Sequence, residues 1–128
     1  MNDVTLLQDF AARYAYAWCS QDPEKVAAFY AKSASVSVNG GPPTPIADVA
    51  RGFMRDFPDM TVTFDKLEPR GHVTAFHWTL TGTYAGTANH VRISGYELWK
   101  IDDTGLIAES SGHFDVAEYE RQLNGASL

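Results

Sequence analysis

HVRISGYELWKI, residues 90–101, alternates along its length. Val91, Ile93, Gly95, Trp99 and Ile101 occupy the odd positions, and the even positions are mostly polar. A period of two is the mark of a strand with one face in a core. Glu97 breaks the pattern, because it places an ionisable group in the middle of the apolar face. A lone carboxylate is costly to bury, so Glu97 should be neutral, paired or close to a bound ligand.

Outward from this strand the period of two persists. Thr61–Leu67 reads as a strand, Pro69-Arg70-Gly71 as a turn and Val73–Thr83 as a long strand. In that long strand Phe76, Trp78 and Leu80 face one way, with His77, Thr79 and Thr81 opposite. Tyr84–Asn89 is a loop, and Asp102–Gly105 turns the chain into a last strand, Leu106–Phe114. These strands form an antiparallel meander. Asp115-x-x-Glu118 then opens a helix carrying Val116, Tyr119 and Leu123, in the pattern of a capping box.

Before Thr61 the period is helical. Val4, Leu7, Ala11, Tyr14 and Trp18 form one face of a helix that Asp3 or Thr5 caps. Asp22 and Pro23 start a second, short helix, as N-cap and first helical residue, burying Val26, Phe29 and Tyr30. Ser35–Val38 is a short strand, and Asn39–Pro43 halts it. A third helix follows Thr44-Pro45, directing Ile46, Val49, Phe53, Met54 and Phe57 inward until Pro58 stops it. Three N-terminal helices packed on one side of a sheet make an α+β domain. If mid-strand glycines Gly82 and Gly95 let the sheet curve, helices and sheet enclose an apolar pocket.

Composition narrows the function. The chain has 128 residues, enough for one domain with a real core, and 45% are hydrophobic. A net charge of −6 argues against nucleic acid, since no basic stripe is available to displace counterions. The single cysteine, Cys19, excludes an internal disulfide and any multi-cysteine metal site. Its place beside Trp18 in a helix suits a structural role. The start, Met-Asn-Asp, has no basic region or long apolar run, so neither a signal peptide nor a membrane span is expected, and the default location is cytoplasmic. His72, His77, His90 and His113 lack metal-ligand spacing, and no metal or cofactor is expected.

The amphipathic first helix, the Asp22-Pro23 junction, Phe29-Tyr30-Ala31, Phe57-Pro58-Asp59, Trp78-Thr79-Leu80-Thr81-Gly82-Thr83 and the turn at Asp103-Thr104-Gly105 together resemble the nuclear transport factor 2-like superfamily. The similarity is greatest to its polyketide-cyclase-like and ketosteroid-isomerase-like branches, and it spans nearly the whole chain. It implies a conical α+β (cystatin-like) fold over residues 1–128, an apolar cavity and a homodimer formed through the outer sheet face. In the isomerase branch a first-helix tyrosine and a carboxylic acid kept protonated by its apolar site donate hydrogen bonds to a developing enolate. The resemblance places these roles on Tyr14 and Glu97. The isomerase base would fall on Val38, beside Asn39, and the cyclase acid/base on Gly112, so both chemistries lack an essential group here.

Glu97 and Tyr14 are therefore the candidate catalytic pair. Trp18, Phe53, Phe57, Phe76, Trp78, Trp99, Ser110 and Phe114 are the candidate ligand-binding residues. Glu97 could instead turn outward at a bulge or pair with Arg13 or Arg51. Asp48 could point into the cavity mouth. The leading expectation is a small-molecule-binding protein whose apolar pocket takes a small carbonyl or polyketide- or steroid-like compound. The alternative is a cofactor-independent isomerase, dehydratase or cyclase using Glu97 as acid/base or hydrogen-bond donor with Tyr14.

Overall fold

A computed structural model describes residues 4–125. It is an α+β architecture with four helices and five strands, in the order α1 (Val4–Trp18), α2 (Pro23–Ala27), β1 (Tyr30–Val38), α3 (Ile46–Asp56), β2 (Thr61–Arg70), β3 (Val73–Thr83), β4 (His90–Ile101), β5 (Ile107–Phe114) and α4 (Val116–Asn124). The strands make one sheet in the order β1-β5-β4-β3-β2. The expected strand at residues 90–101 is β4, and it lies at the centre.

The β2-β3-β4-β5 meander is antiparallel, but β1 joins it parallel to β5. The parallel edge corrects the expected all-antiparallel sheet. Alternation reveals a strand but not a partner about seventy residues away along the chain. β1 is also longer than Ser35–Val38, because it begins at Tyr30. α2 ends at Ala27, so Phe29 and Tyr30 lie beyond it and not on its face. Pro69 and Arg70 belong to β2, paired with Thr74 and Val73, and the turn falls at Gly71-His72. β2 is an edge strand, where a residue without an N–H costs no ladder bond.

Local chemistry explains the helix starts. Asp22 caps α2 through its side chain on the Glu24 N–H at 3.0 Å, with Pro23 next. Asp115 Oδ1 accepts from the Glu118 N–H at 3.1 Å, which makes half of the expected capping box. The Glu118 carboxylate turns away to Arg121 and Gln122, whose hydrogen bonds hold it down at about 2. Thr5 lies inside α1 and Asp3 outside the described residues, so neither is seen as its cap. Val116 is exposed, while Tyr119 and Leu123 are half-buried against the core.

The core lies between the sheet's inner face and α1 and α3. Tyr14, Phe57, Phe76, Val91 and Trp99 are all fully buried. Phe76 is stacked between Phe64 and Trp99, at ring separations of 5.7 and 4.8 Å. Tyr14 meets Phe76 and Trp99 edge-on at 5.3 and 5.1 Å, geometry that aromatic quadrupoles favour. Cys19 is half-buried, with Sγ 3.2 Å from the Val62 N–H.

Candidate functional site

β4 carries Glu97 into this aromatic core. Its side chain follows from the alternation that puts Ile93 and Trp99 on the same face, and no bulge in the β3–β4 register turns it outward. Arg13 and Arg51 are not its partners, since they pair with Asp9 and Asp48 on the surface. Three neutral donors converge on Glu97 Oε1 instead. The Trp99 indole donates at 2.7 Å, the Tyr14 hydroxyl at 3.0 Å and the Ser110 hydroxyl at 3.3 Å. The Tyr14 hydroxyl has one proton, which goes to Glu97. The Tyr30 hydroxyl, 2.9 Å away, therefore donates to Tyr14.

This arrangement sets the protonation chemistry. Desolvation raises the Glu97 carboxyl above its ordinary value of 4.5, and the hydrogen bonds from Trp99, Tyr14 and Ser110 only partly offset it. Tyr14 and Tyr30 are both pushed well above 10.0, first by burial and then by the nearby Glu97 charge. The tyrosines thus stay protonated as donors.

Beside this cluster lies an apolar chamber of about 60 Å³, lined by Trp18, Val38, Phe53, Val62, Phe76, Trp78, Leu80, Gly112 and Phe114. Phe76 and Gly112 are the residues paired with Glu97 on the two flanking strands. Glu97 thus stands beside two members of the chamber wall, on the same sheet face, although it is not itself part of that wall. A wider mouth of about 290 Å³ shares Val38 and Phe53 with the chamber and adds Asp48, Val49, Gly52, Asp56 and Tyr119. Asp48 does reach the mouth, with its carboxylate held by Arg51 at 2.8 Å.

Among the expected ligand-binding residues, Trp18, Phe53, Phe76, Trp78 and Phe114 line the chamber. Phe57, Trp99 and Ser110 do not. Phe57 is sealed beneath Tyr84 and Tyr119, and Trp99 and Ser110 support Glu97. Sequence reasoning missed Tyr30, which it placed on a helix. It also missed the Trp99–Glu97 bond, for which a signal existed, since residues i and i+2 of a strand share a face. Val38 and Gly112, expected as vacant base positions, are cross-strand partners that line the chamber. Among the described residues no three His, Cys, Asp or Glu side chains gather where they could hold a metal ion.

Comparison with known proteins places this geometry in a family. The SnoaL-like domain family matches residues 11–110, and the chain belongs to it. That family lies within the nuclear transport factor 2-like superfamily that the sequence resembles. Solved structures share the fold at low identity. AclR, a candidate hydroxylase from Streptomyces galilaeus, superposes with a TM-score of 0.81 at 14% identity, over 98% of this chain and 100% of its own. TsrD from Streptomyces laurentii gives 0.81 at 19% identity, over 96% and 98%. IdmH, a candidate polyketide cyclase from Streptomyces antibioticus, gives 0.74 at 23% identity, over 91% and 97%. No curated protein sequence matches the chain.

Proposed function

We propose that this protein binds a small, mostly apolar carbonyl compound in the chamber between the sheet and α3. The observation that carries the proposal is the wholly hydrophobic lining with an acid group beside it, next to Phe76 and Gly112. Apolar walls supply affinity by burial, and a few fixed polar groups supply orientation. The chamber's 60 Å³ holds only a few water-sized spheres. A monocyclic ligand therefore suits it better than a steroid, and a polycyclic one would have to extend through the mouth. In this reading the helices and sheet form a single conical domain around the ligand, and two copies meet through the outer sheet face, where Tyr96 stacks on His113 at 5.0 Å.

The test is to fill the chamber. A Cβ at Gly112 meets nothing closer than 3.8 Å, so Gly112→Leu should fold while placing its branches in the cavity. Binding of small enones and phenols, followed by tryptophan fluorescence, should be lost in Gly112→Leu and present in the parent protein. Equal binding by both would refute the chamber as the site. A monomer in sedimentation equilibrium would count against the dimer.

A second reading is catalytic, and the raised Glu97 carboxyl favours it. A carboxyl with a raised pKa can take a proton from one atom of a bound substrate and return it to another. Isomerisation, dehydration and cyclisation need no more than such proton transfers, and Tyr14 would hold the carboxyl in place.

A further inference from the structure

We propose that the ring of Phe53 is a gate between the chamber and its mouth. It sets the size of ligand the site takes, enclosing a single six-membered ring and excluding a fused bicycle. The inference rests on the chamber being a binding site and names what it admits. Phe53 and Val38 line both the chamber of about 60 Å³ and the mouth of about 290 Å³, so together they form the throat. A ligand passing from mouth to chamber goes between a side chain of α3 and the last residue of β1.

The two sides of the throat differ in how firmly they are held. Val38 is paired with Gly112 between β1 and β5, and its carbonyl accepts the Gly41 N–H at 2.9 Å. Phe53 is only half-buried, and its ring meets Trp18, Phe114 and Tyr119 edge-on at 6.1, 6.5 and 6.5 Å. Edge-on pairs in the sealed core are closer, at 5.3 and 5.1 Å for Tyr14 on Phe76 and Trp99. Beside Phe53, Gly52 also lines the mouth, and a Cβ there would meet nothing within 4 Å. The ring thus has loose contacts on its inner side and open space at the mouth. A helical phenylalanine has two accessible χ1 wells, so a swing between them breaks no hydrogen bond and needs no backbone movement.

Cyclohexanone and 2-decalone share a ketone and differ by one fused ring. Their affinities and stopped-flow association rates, read from the fluorescence of the chamber residues Trp18 and Trp78, are the test. The proteins compared are the parent, Phe53→Ala and the milder truncation Phe53→Leu, which carries the test if Phe53→Ala does not fold. The parent should prefer cyclohexanone by about tenfold or more, the scale on which an apolar pocket resolves size. Truncation should abolish or reverse that preference. It should also speed the entry of cyclohexanone about tenfold, because a gate open in about a tenth of molecules slows entry by that factor. A parent protein without the size preference, or variants that keep the parental preference and entry rate, overturn the inference while leaving the chamber as a binding site. Decalone binding gained without faster entry makes Phe53 a fixed wall and overturns the gate. Failure of all three proteins to bind either ketone overturns the inference together with the chamber reading beneath it.

Discussion

Glu97 shows how much a single residue can reveal in a sequence. A charged side chain on an otherwise apolar strand face was visible by alternation, and so was its first-helix partner Tyr14. The donors Tyr30 and Ser110 were less visible, because their approach depends on β5 pairing with β4 and β1 pairing with β5. The orphaned Trp78 indole was wholly illegible, since nothing in sequence distinguishes it from the satisfied Trp99. Removing the titrating proton at constant volume gives the prediction at this scale. The folded-state value of Glu97 is raised above 4.5, so its contribution to stability is fully present below the unfolded value and is lost as pH rises through the folded one. Glu97→Gln has no such loss. The melting temperature of Glu97→Gln relative to the parent should therefore climb as pH rises above about 4.5, then level off. A difference independent of pH contradicts it. On the catalytic reading the same variant retains ligand but loses turnover.

At the scale of elements, the meander was legible almost residue by residue, because β4 alternates buried with exposed positions over its first half and the β3 sequence alternates large apolar with polar side chains. Their bounds in the structure, Val73–Thr83 and His90–Ile101, are those that alternation gave. β1 was only half legible. Ala31-Lys32-Ser33-Ala34 has little strand preference of its own, and the β5 ladder that orders it carries a register irregularity between Tyr30 and Ser35. The β3-β4-β5 region also contains two glycines with opposite tolerances. At Gly95 an added Cβ would press into the His113 carbonyl oxygen and stand 2.7 Å from Trp78 Cζ2. At Gly112 the nearest atom is 3.8 Å away. Urea unfolding should therefore show Gly95→Ala destabilised by about 2–3 kcal/mol, as overpacking against fixed backbone costs. Gly112→Ala should stay within about 1 kcal/mol of the parent. Equal losses at the two sites would mean that Gly95 is not held by this packing.

At the scale of the whole molecule, the fold and the family follow from the chain, while the chemistry depends on which groups the family's shared frame happens to carry here. The same frame serves proteins assigned to different activities at 14–23% identity, so the frame alone decides nothing. This chain carries an apolar chamber, an acid beside its wall and no carboxylate at Val38 or Gly112. Among the described residues no helix is long and apolar enough to cross a membrane. The account as a whole stands on Glu97 being desolvated and held by Tyr14. A carboxyl-carbon NMR titration of Glu97, in the parent protein and in Tyr14→Phe, reads this directly. The predicted midpoint lies above 4.5 in the parent protein and higher still in Tyr14→Phe, because the lost hydrogen bond favours the charged form. A midpoint at or below 4.5, unmoved by Tyr14→Phe, would place Glu97 in water and contradict the account.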